Sequence, residues 1–152
     1  MNVLWQLLGR IAYIICWPLL WFYLHGSRRT RVIVVYEGKI LLVKQWLGDG
    51  RWCLPGGGRH RRETAMAGAV RELREETGIE IDETQLVSLG DNLYSSQGLS
   101  FMFDLFMVQL TTPPQVLKRP LELVDVRWFA AEELLTEDLS SDVKIGLQHW
   151  SA

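Results

Sequence analysis

Three consecutive glycines, Gly56-Gly57-Gly58, stand a few residues ahead of a stretch patterned for one amphipathic helix. A glycine run marks a backbone that bends sharply or passes very close to another group. From about Thr64 to Thr77, Ala65, Met66, Ala69, Val70 and Leu73 recur at helical spacing, and Gly78 stands where such a helix stops. The residues before the glycines, Trp52-Cys53-Leu54-Pro55, read as a short extended piece. The chain must therefore accommodate a tight turn that joins extended backbone to a helix, which selects for layered folds of mixed α and β structure.

The flanking segments agree. Arg31–Glu37 and Ile40–Trp46 are β-branched and apolar and predict two strands joined at Gly38-Lys39. Gly48, Asp49 and Gly50 form a turn cluster. Leu86–Leu89 and Leu99–Leu110 predict further strands, the latter apolar enough to be covered on both faces. A loop with three prolines spans Thr111–Pro120, Val124–Phe129 alternates as a strand does, and Ala130–Leu139 and Asp142–Trp150 read as helices. Strands, a helix, more strands and then helices give an α+β domain. With 152 residues the chain suits one such domain, expected over residues 28–152.

Residues 1–27 are different. Between Val3 and Leu24 only Gln6, Gly9, Arg10 and Pro18 interrupt an apolar and aromatic run, and Arg28, Arg29 and Arg31 follow it. A bilayer core of roughly 30 Å takes about 20 helical residues. The segment is expected to be a transmembrane helix that anchors the chain to a lipid bilayer. The basic flank would hold the following domain in the cytoplasm. A purely cytoplasmic chain is the alternative. No signal-peptide cleavage site is evident, and the basic cluster follows the apolar run where a signal peptide has it in front. All acidic residues lie from Glu37 onward, in a chain of net charge −2. Such a surface does not suit a nucleic-acid polymer, and its carboxylates can instead hold a cation. Cys16 and Cys53 are too few and too far apart for a disulfide framework, which points to a reducing compartment.

Glu72, Glu75 and Glu76 are spaced i, i+3 and i+4, so a helix gathers them on one stripe beside its apolar face. Like charges so placed repel. Basic neighbours such as Arg71 and Arg74 can offset that cost, leaving a solvated charged face, or a hard cation such as Mg2+ or Mn2+ can do so. Arg59, Arg61 and Arg62 precede the helix and are candidate phosphate contacts.

The wider pattern separates these two readings. Gly57, Glu63, Arg71-Glu72-Leu73, Glu75-Glu76 and Gly78-Ile79 resemble, at every specified position, the signature of the Nudix hydrolase family (MutT-like). Trp52-Cys53-Leu54-Pro55-Gly56-Gly57 is similar to the family's lead-in, and Glu122–Leu135 to its late strand-to-helix segment. The resemblance implies an α/β/α sandwich around a mixed sheet. It implies hydrolysis of a phosphoanhydride bond in a nucleoside diphosphate linked to another group X. By the same resemblance Glu72, Glu75 and Glu76, with the Gly57 carbonyl, hold Mg2+ or Mn2+, and Glu72 activates water. Arg71 and Glu63 pair to support the site, and Glu122 is a possible further ligand or base. Two alternatives stay open, a membrane-anchored hydrolase of a lipid-linked diphosphate and a non-catalytic ligand sensor. Tyr94 stands about where some relatives acting on dinucleoside polyphosphates carry a tyrosine, or else serves packing.

Overall fold

The computed structural model describes residues 3–24, 27–96, 98–117 and 122–150. Helix α1 (Val3–Leu24) leads into strands β1 (Arg28–Tyr36) and β2 (Lys39–Gln45). After the glycine loop come helix α2 (Ala65–Thr77), strands β3 (Val87–Ser96), β4 (Leu99–Gln109) and β5 (Leu123–Phe129), and short helices α3 (Ala131–Leu134) and α4 (Ser141–Gly146).

The strands form one mixed sheet in the order β3-β4-β1-β2-β5. β1 runs parallel to β4 and antiparallel to β2, and the two outer pairs are antiparallel. Strand alternation gives β1 two apolar faces. Val32 and Val34 pack with Ala69 and Leu73 of α2, whereas Ile33 and Val35 pack with Leu134 and Val143 of α3 and α4. β4 divides in the same way, Phe106 and Val108 to one side and Phe103 and Leu105 to the other. The result is a sheet covered by helices on both faces.

α2 begins and ends as its sequence dictates. The Thr64 hydroxyl caps it by accepting from Ala67 N at 3.0 Å. Gly78 closes it in the left-handed region, φ 74°, and donates its N–H to the Arg74 carbonyl.

Several boundaries differ from those expected. β1 begins at Arg28, so the arginines expected to flank a membrane lie in a central strand, and Arg31 is only 5% exposed. β3 extends to Ser96, well past Leu89. The C-terminal helices are shorter than predicted because Leu139 bridges to Trp52 between them. His25 and Gly26, at the end of the expected anchor segment 1–27, lie outside the described residues.

α1 forms, but among the described residues no helix is long and apolar enough to cross a membrane. The expected transmembrane helix is thus not supported, and neither are the bilayer contact and the membrane-anchored location drawn from it. Two of the four interruptions in the apolar run, Gly9 and Arg10, meet the domain. Gly9 is buried against the Trp46 carbonyl so closely that a Cβ there would stand 2.4 Å from it. Arg10 packs on Gly50, and Trp21 Nε1 donates to the Gly98 carbonyl at 3.1 Å. Leu7, Leu8, Ile11, Ile14, Ile15 and Leu19 of the same helix are exposed.

Candidate active site

The glycine loop is laid along β1 as if it were one more strand. Val32 N donates to the Pro55 carbonyl at 3.0 Å, Thr30 N to the Gly57 carbonyl at 2.9 Å, and Arg59 N to the Arg28 carbonyl at 3.2 Å. Gly56 sits at φ 135°, where a Cβ would lie 2.2 Å from the Thr30 carbonyl oxygen, so only glycine fits. At Gly57 a Cβ would lie 2.4 Å from the Glu72 carboxylate. The two glycines therefore bring bare backbone against both β1 and α2.

That approach orders the carboxylates of α2. Glu76 is 7% exposed and accepts from Gly56 N at 2.8 Å and from Gln45 Nε2 at 3.4 Å. Burial pushes its pKa up to about 7, against the Gly56 hydrogen bond and with help from the neighbouring charge of Glu72. Arg71 binds the rest. It grips both oxygens of Glu63, at 2.9 and 3.0 Å, and donates to the Gly58 carbonyl at 2.9 Å. It also reaches Glu72 at 2.9 Å and Glu75 at 3.0 Å. The Arg71 guanidinium holds Glu63 down at about 2.

These groups open onto a cleft of about 510 Å3 lined by Gly56–Gly58, Glu72 and Glu76. Glu122 reaches the same cleft, and its carbonyl accepts from Trp46 N at 2.9 Å. Glu75 is absent from the lining and is turned to Arg71. Among the described residues no three His, Cys, Asp or Glu side chains are arranged as a metal-holding group. Arg71 Nη1 holds Glu72 and Glu75 together, and of the three expected glutamates Glu72 and Glu76 line the cleft. Glu76 is deeply buried, and the Gly57 carbonyl keeps its second lone pair. Hard oxygen donors of this kind fit Mg2+ or Mn2+.

The expected phosphate contacts are placed elsewhere. Arg59 pairs with Asp104 at 3.7 Å, and Arg61 and Arg62 are exposed, so none of the three lines the cleft. Arg29, Arg31 and Arg51 line it instead. Alternation along β1 carried that signal, since Arg29 and Arg31 share a strand face with Ile33 and Val35. Arg31 donates to Asp142 Oδ2 at 2.8 Å and to the Gly56 carbonyl. Burial opposes its charge, yet Asp142 holds the guanidinium pKa above its ordinary value. Asp142, fully buried, also accepts from Leu54 N at 3.2 Å and from the Ser140 hydroxyl. Sequence reading missed this network. Arg51 is held by Asp49 and Ser96, and Arg29 lies over the Phe101 ring at 5.5 Å. Tyr94 stacks on Phe101 with centroids 4.5 Å apart, and both rings line the cleft.

A glycine loop and a carboxylate helix beside a cleft lined by arginines, on a sheet sandwiched by helices, define an α/β sandwich protein with a charged cleft. Comparison with known proteins is specific. Residues 26–148 match the model of the NUDIX domain. Phosphatase NudJ of Escherichia coli is 30% identical over 104 residues, 68% of this chain and 67% of that one. The chain belongs to the Nudix hydrolase family. Among solved structures, a MutT NUDIX hydrolase from Burkholderia pseudomallei superposes with a TM-score of 0.72 at 24% identity, covering 83% of this chain and 98% of that one. A bifunctional NMN adenylyltransferase/ADP ribose pyrophosphatase from Francisella tularensis, complexed with AMP and a manganese ion, gives a TM-score of 0.70 at 21% identity, covering 91% of this chain and 46% of that one. The chain spans less than half the length of two further curated relatives, 43% and 44%.

Proposed function

We propose that the chain hydrolyses a phosphoanhydride bond in a nucleoside diphosphate linked to a group X. Water attacks one phosphorus, the bridging P–O bond breaks, and two phosphate products leave. The observation that carries this reading is the joint presence in one cleft of Glu72, Glu76 and the bare Gly56–Gly58 backbone. A second carboxylate, Glu72, beside the buried Glu76 is unfavourable to the charge of Glu76 unless a cation offsets it. Glu72 and Glu76 would hold Mg2+ or Mn2+, with Glu75 and the Gly57 carbonyl as additional donors. When bound, the cation offsets substrate charge and lowers the pKa of water.

The chain's own groups do the rest. Arg71 fixes Glu72 through a hydrogen bond, which keeps its carboxylate aimed to take the proton from water. Gly56 N–H orients Glu76. Arg29, Arg31 and Arg51 supply positive charge for the diphosphate. Phosphate is a good leaving group, so positioning and charge stabilisation suffice. Free thiols at Cys16 and Cys53 suit the cytoplasm, where nucleotide substrates are also found.

The test is a panel of nucleotide diphosphates with release of phosphate products as the readout. Activity is expected to vanish in excess chelator and to return with Mg2+ or Mn2+, with Ca2+ a poor substitute because it is larger and looser in geometry. Full activity in excess chelator refutes the reading.

A further inference from the structure

We propose that α1 is a wall of the substrate cleft and that Tyr13 is a specificity-determining residue, which contacts the ring-bearing nucleoside part of the ligand. The inference rests on the reading of the cleft given above. It concerns a segment that lies before the family match, which begins at residue 26.

Three observations support it. First, Tyr13 lines the same cleft as Glu72 and Glu76, together with Trp46 and the following turn Leu47–Arg51. Second, α1 is fitted closely to that turn. A Cβ at Gly9 would stand 2.4 Å from the Trp46 carbonyl oxygen, and one at Gly50 would stand 2.7 Å from the Arg10 guanidinium. Third, α1 is also tied to the β3–β4 hairpin through Trp21 and the Gly98 carbonyl. That hairpin carries Tyr94 and Phe101 into the cleft. The helix thus joins two cleft-lining segments and adds an aromatic ring of its own.

Chemistry divides the lining into two kinds of group. The carboxylates, arginines and glycine backbone suit phosphates and a cation. Tyr13, Trp46 and the Tyr94–Phe101 stack suit the face of a flat ring, since bases stack on aromatic side chains with little regard to sequence. A substrate built from a nucleoside and a diphosphate needs both.

The test is calorimetric binding to the full chain, so it does not depend on turnover. The probes are AMP, GMP, CMP and UMP, which carry a ring, and inorganic pyrophosphate, which does not. Tyr13→Ala is expected to weaken the best-bound monophosphate about tenfold or more, while pyrophosphate changes less than twofold. Tyr13→Phe keeps the ring and is expected to recover most of that loss. Gly9→Ala must push α1 off Trp46 and is expected to weaken the monophosphate without touching the Tyr13 side chain. Melting curves establish that each variant is folded. Equal weakening of monophosphate and pyrophosphate, an unchanged monophosphate affinity in Tyr13→Ala, or failure of the wild type to bind any monophosphate overturns the proposal. The hydrolase reading fails separately, through the chelation assay.

Discussion

Replacing Asp142 by alanine is expected to cost about 3 kcal/mol of folding stability, although the residue sits on α4, outside the glutamate signature. The figure follows from what the carboxylate touches. Asp142 is fully buried and accepts from Arg31 Nε at 2.8 Å, from Leu54 N at 3.2 Å and from the Ser140 hydroxyl. Its removal leaves Arg31, 5% exposed, with the Gly56 and Thr30 carbonyls as its remaining partners. Breaking a buried ion pair from one side typically costs about 3–5 kcal/mol, because the other charge is stranded. The two carbonyls still solvate the guanidinium in part, which places the cost at the lower end. Asp142→Asn keeps an acceptor for Leu54 N and is expected to lose less, about 2 kcal/mol. The pair Arg31→Met with Asp142→Leu removes both charges and is expected to lose less than Asp142→Ala alone. Urea titration read by tryptophan fluorescence gives the midpoints, with an unchanged slope required for comparison. A loss below about 1 kcal/mol in Asp142→Ala at constant slope refutes the argument, since it means that Arg31 is not stranded.

Three further outcomes are expected. Glu72→Gln and Glu76→Gln each lower kcat about a hundredfold or more with an unchanged circular dichroism spectrum, because a neutral amide neither accepts the proton nor offsets a cation; retained turnover in both contradicts the site. Glu63, held at about 2 by Arg71, has a folded pKa below its unfolded value of about 4.3. Its contribution is present in full above the unfolded value and is lost as pH falls toward the folded one. The gap in melting temperature between wild type and Glu63→Gln should therefore close between about pH 4.3 and pH 2, and a gap constant over that window speaks against the pairing. Gly56→Ala places a Cβ 2.2 Å from the Thr30 carbonyl at φ 135°, and should lower the urea midpoint by the equivalent of about 1–3 kcal/mol.

Local chemistry was legible where local chemistry decides. Thr64 and Gly78 announce the two ends of α2, and both act as caps. The apolar run from Leu99 predicts a strand covered on both faces, and β4 has one core cluster on either side. β3 was legible only at its start because it pairs with β4 alone, at the sheet edge, and its faces are largely solvated. Such a strand needs no apolar pattern beyond Leu89. In the site, helical spacing gathers Glu72, Glu75 and Glu76, but spacing cannot say which of them an arginine will claim. Arg31 was hidden for a different reason. Its partner lies 111 positions away, and an arginine next to an apolar run reads as a flank until the sheet brings Asp142 beside it.

The parallel pairing of β1 with β4 has a consequence for the order in which the chain can assemble. Arg28 meets Met102 and Val35 meets Gln109, so the middle of the sheet closes only after β4 has left the ribosome. Until then β1 and β2 form a hairpin with both outer edges open, because β4 and β5 are still to come, while α1 with its apolar side is already exposed outside the tunnel. Contacts this distant along the chain slow folding, since a long loop must close before any of them forms. The nascent chain is thus most prone to aggregate in the interval between synthesis of β2 and synthesis of β4. A pause in translation while β4 is still unmade or inside the tunnel should lower the yield of folded protein, and a pause late enough for Gln109 to have emerged should lower it less.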